Sequence, residues 1–201
     1  NQVVGGVMLV VGLITMFLGA VLALFSVNFK RTLACSSVSQ IGFILTGIGM
    51  QGLLGEENAI AASGTILHML NHSMFKLVLF LVAGVIVQNL HALDLNEIRG
   101  FGRKKPYLMI CYLFGALGIG GIPGWSGYIS KTLLHEGIVE GIHHMHASHT
   151  AALGLKCAEI VFLISGGITC AYMIKLFVAV FVEKNIPNEA KMRESDKDYL
   201  S

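Results

Sequence analysis

Three stretches of more than 20 residues, 3–27, 32–54 and 107–130, carry no charged side chain at all. An apolar run of about 20 residues is what an α-helix needs to cross the hydrocarbon core of a bilayer. In that core every backbone N–H and C=O must find its partner inside the segment or its assembly, which leaves helices as the natural way for such runs to fold. The rest of the chain agrees. Hydrophobic residues make up 54% and charged residues 13% of the 201, against roughly 45–50% and about 25% in a soluble domain. With half the usual charge there is too little polar surface to face water. The mean hydropathy is +0.71. An all-α, polytopic membrane protein is therefore predicted.

Two further runs complete the pattern. Residues 59–89 are interrupted only by His68, His72 and Lys76, and residues 158–182 only by Glu159 and Lys175. Five transmembrane helices are predicted. Lys30 and Arg31 separate the first two, Glu56 and Glu57 the next two, and Arg99, Arg103, Lys104 and Lys105 the third and fourth. Basic loops stay in the cytoplasm, so the acidic turn and the His-rich 135–149 segment face the opposite side. The polar stretch 184–201 reads as a cytoplasmic tail or linker. The opening NQVVGGVMLV shows no initiator Met, basic n-region or A-x-A cleavage site. No signal peptide is expected, and the chain reads as an internal piece of a longer polytopic protein.

Function is carried by ionisable residues where lipid would surround them. In HMLNHSMFKLVLF, His68, His72 and Lys76 recur at steps of four. Each step advances about 40° around a helix and about 6 Å along it, so the three make one slowly winding stripe about 12 Å long. Charged groups at this depth are costly and face a protein interior or a water-filled cavity. Imidazole can donate and accept at once, and a desolvated lysine gives up its proton more readily. Two histidines followed by a lysine suit a proton relay. The alternative is that each imidazole merely bonds a neighbouring helix; Lys76 lies too deep to snorkel cheaply.

The second feature is FGALGIGGIPGWSGYISKTLL, where Gly120, Gly121, Pro123 and Gly124 cluster inside an apolar run. Proline removes a donor and clashes with the preceding turn, so the fourth span is predicted to break here. Broken helices inside membranes line cavities and ion sites. Lys131 follows within about two turns; from position alone it is either a lysine closing the span at the interface or a group lining the break.

Other residues support blander readings. Lys30 and Arg31 look like a cytoplasmic anchor pair, and Lys175 like a snorkelling lysine. His135, His143, His144, His146 and His149 offer metal-type ligands, but no HExxH-like order is present, and a solvated interfacial loop is expected with no metal. Cys35, Cys111, Cys157 and Cys170 are far apart with no CxxC pair, so they are read as small apolar packers rather than a disulfide or zinc set. A net charge of +2 gives no reason to expect nucleic acid. No haem, flavin or iron–sulfur motif is present, so no cofactor is expected in this chain.

NFKRTLACSSVSQIGF, HMLNHSMFKLVLFLVAG, IRGFGRKKP and GIPGWSGYISKTLL occur in that order. Together they resemble the antiporter-like proton-channel subunits of respiratory complex I, a module shared with energy-converting membrane hydrogenases and Mrp-type sodium/proton antiporters. The likeness covers Val3 to about Glu183. It implies that residues 1–183 form the second of two inverted five-helix repeats, helices nine to thirteen of the larger subunit. It also implies a proton relay through Lys30, His68, His72, Lys76 and Lys131, with Lys131 on the terminal residue of the broken helix. On Lys30 and Lys131 the resemblance reverses the blander readings. Cys35 stands where the family usually has an aromatic. The glutamate and lysine of the first repeat are missing from this chain, so a first-repeat half and other membrane subunits are implied as partners, beside the lipid bilayer itself.

The resemblance implies proton translocation as a subunit of a complex I-like NADH:quinone oxidoreductase or a membrane-bound hydrogenase, in a prokaryotic inner membrane. An Mrp-type sodium/proton antiporter subunit without redox partners is the other functional reading. A structural membrane protein with remnant polar residues is the third.

Overall fold

A computed structural model describes residues 2–145 and 149–184. Six helices follow one another: α1 (Gln2–Phe25), α2 (Phe29–Leu54), α3 (Ala59–Leu90), α4 (Pro106–Gly120), α5 (Ser126–His144) and α6 (His149–Phe177). A 3₁₀ turn, Gly55–Asn58, joins α2 to α3, and α6 runs on into a π-helical turn, Val178–Val182. Among the described residues there is no strand. A single antiparallel bridge, Asn28 to Asp94, holds the α1–α2 turn against the 91–105 segment. Phe29 N donates to Leu93 O at 2.9 Å and Leu95 N to Val27 O at 2.8 Å.

Four helices, α1, α2, α3 and α6 with its π turn, are long and apolar enough to cross a membrane. Their side chains are arranged inside out. On α3, Ile66, Leu70, Met74, Leu77 and Leu81 are exposed, whereas Thr65, His68 and Lys76 are buried. An apolar outer face with polar groups turned inward is the pattern lipid selects, since hydrocarbon solvates leucine and not lysine. The protein is an all-α polytopic membrane protein.

The helices pack by small residues, because between lipid-facing helices close van der Waals fit drives association. A Cβ on Gly42 of α2 would lie 2.3 Å from the backbone N of Met16 in α1, and one on Gly49 would lie 2.6 Å from that of Leu9. Caps settle the ends. The Asn28 side chain accepts from Arg31 N at 3.1 Å and that of Asn58 from Ala61 N at 3.0 Å, each meeting an amide the first helical turn leaves orphaned. Asn58 also donates from Nδ2 to Gly137 O at 2.9 Å, so the start of α3 is level with Gly137 of α5.

The expected fourth span is broken where the glycines and proline stand. Gly121 closes α4 with a left-handed φ of 73°. Its N–H bonds Gly118 O at 3.2 Å while Ile122 N bonds Leu117 O at 3.2 Å, a Schellman closure that a residue with a Cβ would resist. The chain restarts as α5 at Ser126, and the halves meet closely: a Cβ on Gly127 would sit 1.8 Å from Gly118 O.

Two boundaries differ from the sequence reading. The His-rich segment is helical, not a loop, as far as His144, because Leu134, Ile138 and Ile142 recur at steps of four and are buried. The last long helix starts at His149, nine residues before the apolar run that revealed it. Of the cysteines, Cys111 and Cys157 are exposed rather than packed inside. His146 and, apart from Lys184, the polar tail 184–201 lie outside the described residues.

Candidate functional site

The site forms where α2, α3 and the α4–α5 break meet. Lys76 is buried, and its Nζ donates to Leu33 O at 2.7 Å and to Ser36 Oγ, both on α2. Ser36 Oγ in turn donates to Leu33 O at 2.9 Å. Two turns back along α3, His68 is also buried. Its Nδ1 lies 3.0 Å from Ser130 Oγ of α5 and its Nε2 3.2 Å from Gln40 Oε1 of α2. Ser130 Oγ donates to Gly127 O at 3.1 Å, leaving its oxygen free to accept from Nδ1–H. A half-turn of the Gln40 amide would offer Nε2 a donor in place of an acceptor. The same two partners thus serve neutral imidazole and imidazolium.

Lys131 occupies the break. In a continuous helix Ile119 O would accept from the amide of residue 123, but that residue is Pro123 and has no N–H. Lys131 Nζ fills the place, donating to Ile119 O at 2.8 Å. Gly120 O, the next carbonyl released, receives Cys170 Sγ at 3.3 Å. Lys131 is buried, and its Nζ sits 4.9 Å from the centroid of the Phe43 ring. A ring face offers a cation an electrostatic partner without a counter-charge. The Phe43 ring also lies 5.9 Å from that of His68 and packs edge-on against Phe162 at 4.8 Å. Among the described residues, carbonyls, a hydroxyl and rings hold Lys76 and Lys131.

The remaining sequence candidates are placed differently. His72 is half-buried, and its Nε2 is enclosed without a hydrogen-bond partner. Lys30 is exposed in the first turn of α2, about one turn before Leu33, and is not brought into the buried cluster. Lys175 is part-buried. It crosses to α1 and donates to Leu24 O and Ser26 O, each at 2.6 Å, covering carbonyls at the end of that helix where a positive charge is favoured. Among the described residues no group of three or more His, Cys, Asp or Glu side chains could hold a metal ion.

Several participants were missed from sequence. Ser36, Gln40 and Ser130 are buried polar residues in runs noted only for lacking charge. Tyr172 of α6 is fully buried beside Ser36, Gln40 and Thr169. The signal available was the appearance of Gln and Tyr in apolar spans. Lys105 gave none: read as a loop cation, it is 1% exposed, with its Nζ 4.2 Å from the Phe101 ring centroid.

The sequence of this all-helical membrane protein matches a known family. Residues 1–154 match the family described as NADH:quinone oxidoreductase/Mrp antiporter, TM. The chain belongs to it. Formate hydrogenlyase subunit 3 of Escherichia coli (strain K12) is 31% identical over 192 residues, which cover 93% of this chain and 31% of that protein. NAD(P)H-quinone oxidoreductase chain 4-2 of Synechocystis sp. (strain ATCC 27184 / PCC 6803 / Kazusa) is 27% identical over 190 residues, covering 94% of this chain and 32% of its own length. A chain in the structure of the Mrp complex from Dietzia sp. DQ12-45-1b superposes with a TM-score of 0.73 at 27% identity, covering 89% of this chain and 30% of that one. This chain spans about a third of the length of the relatives it matches.

Proposed function

We propose that this chain is a proton-conducting repeat of an antiporter-like membrane subunit, working within a complex I-like quinone oxidoreductase or a membrane-bound hydrogenase. On this reading α4 and α5 together make the fourth of five crossings, residues 1–183 form the second inverted repeat, and the first repeat and further membrane subunits are its partners in a prokaryotic inner membrane. The observation that carries it is the pair of buried lysines, Lys76 and Lys131, flanking a histidine whose two ring nitrogens both have partners that can reverse roles. A cation held in lipid by carbonyls, a hydroxyl and rings is expensive as a structural device. It is understandable as a group that loads and unloads a proton.

The geometry orders the route. Lys76 meets α2 through Ser36, while His68 meets α2 through Gln40 and α5 through Ser130. Lys131, next to Ser130, stands at the break. A charge arriving on one lysine disfavours the charged form of the next, so protons move along the line in turn. Lys30 would feed this line from its exposed end rather than form part of the buried cluster. Proton uptake into vesicles carrying the assembled complex tests the reading: Lys76→Ala is expected to abolish most uptake, and unchanged uptake would reject it.

The likeness to a chain of the Mrp complex favours one second reading, an antiporter subunit without redox partners. Uptake driven by a sodium gradient alone, without an electron donor, would select it.

A further inference from the structure

His135 is one helical turn beyond Lys131 on α5, about 6 Å along the axis. Its Nε2 lies 3.0 Å from Oε1 of Glu159 on α6, and both side chains are part-exposed, at 26% and 29%. The Asn58 bond to Gly137 sets the level: α3 begins two residues past His135. The pair therefore lies toward the end of α3 opposite the basic 91–105 segment. The His135 ring packs 6.1 Å from Phe162, Phe162 packs on Phe43, and Phe43 faces both Lys131 Nζ and the His68 ring. Two aromatic rings thus stand between the buried lysine and the half-exposed imidazole. Lys131 turns toward the break, to Ile119 O, so the lysine and the histidine are neighbours along one helix with no bond joining them.

We propose that His135 and Glu159 form the terminal proton-transfer pair of this chain, through which Lys131 exchanges protons with water on the side opposite the basic segment. The inference rests on the conduction reading above. For the transfer the Lys131 side chain leaves Ile119 O and turns toward His135, its i+4 neighbour on the same helix face; its ammonium then gives one proton to the neutral imidazole, leaving a neutral amine and an imidazolium. The Glu159 carboxylate balances the new charge while it lasts. The imidazolium then releases one proton to the adjoining water and is neutral again. The Phe43–Phe162 pair keeps bulk water from Lys131, so the imidazole is the step between a dry compartment and a wet one. An imidazole suits this step because its ordinary titration lies closest to neutral pH.

Proton uptake by vesicles carrying the assembled complex, at matched assembly, tests this with four variants. His135→Gln is expected to slow uptake about a hundredfold or more, the usual loss when a proton-transferring side chain is removed. His135→Arg keeps the ion pair with Glu159 but cannot release its proton, and is expected to be as slow. Glu159→Gln, nearly isosteric and still able to accept from Nε2, is expected to slow uptake several-fold by removing the balancing charge. Full uptake by His135→Arg would make the pair a mere tie between α5 and α6 and overturn the proposal, as would full uptake by His135→Gln or Glu159→Gln. Lys76→Ala is the reference. If it abolishes uptake while the His135 variants run at the unmodified rate, only the terminal pair is wrong; if it too runs at full rate, the conduction reading falls and the terminal pair with it.

Discussion

Lys131 Nζ stands 2.8 Å from Ile119 O, at the carbonyl that Pro123 leaves without an amide. The proline makes the vacancy and the lysine occupies it, so the break in the helix and the burial of the cation are one feature. Replacing Lys131 by Met removes the donor and leaves that carbonyl buried without a partner. A loss of about 1–3 kcal/mol is expected, read as an earlier thermal transition of the purified complex in detergent, together with loss of proton uptake.

The close approach of the two halves gives a prediction independent of charge. Any Cβ on Gly127 would meet Gly118 O at 1.8 Å, and that oxygen belongs to the backbone and cannot swing aside. Gly127→Ala is expected to destabilise by about 1–3 kcal/mol or more, as overpacking of a fitted contact does. The yield of assembled complex and its melting temperature report this. A stability equal to the unmodified protein would mean that α4 and α5 are further apart than described.

His68 and His72 look equivalent in HMLNHSMFK, and the structure separates them. His68 is bonded at both nitrogens, whereas Nε2 of His72 has no partner. His68→Ala strands Gln40 Oε1 and loosens Ser130, at an expected cost of about 1–3 kcal/mol. His72→Ala breaks no such bond and is expected to cost less. Paired melting curves decide, and the reverse order would refute the assigned bonds.

Lys175 offers a control off the route. It caps α1 through Leu24 O and Ser26 O, so Lys175→Met is expected to lower stability by about 0.5–2 kcal/mol, the range for a cation at a helix C-terminus. Proton uptake per assembled complex should stay near the unmodified rate. A selective loss of uptake without a change in melting would place Lys175 on the route.

These contrasts show which features a linear sequence displays. Spans α1 and α2 were legible because an uncharged run longer than 20 residues has one economical fate in lipid. The break was legible because Pro123 and its glycines act locally. What escaped was non-local. Lys175 finds its carbonyls 149 and 151 residues earlier. Gln40 and Ser130 become partners of one histidine only when α2, α3 and α5 converge. The helix through the His-rich segment was hidden because its polar residues masked the Leu134, Ile138, Ile142 stripe. Lys30 is placed on the route by its motif alone, and it stands exposed in the first turn of α2.

Lys76→Arg tests what kind of group the site needs. Lys76 is held by Leu33 O and Ser36 Oγ. If it served as a fixed charge or an anchor, arginine would serve as well, since its fork of donors can reach a carbonyl and a hydroxyl. A relay requires more: the group must lose its proton in each cycle. Desolvation can bring an ammonium to that point, but a guanidinium with an intrinsic pKa above about 12 stays charged. Its larger planar head must also fit where a small ammonium sits between α2 and α3. Lys76→Arg is therefore expected to lose nearly as much proton uptake as Lys76→Ala, measured in vesicles at matched assembly. Full uptake by the arginine variant would make Lys76 an electrostatic fixture, and the proton would have to travel by another path.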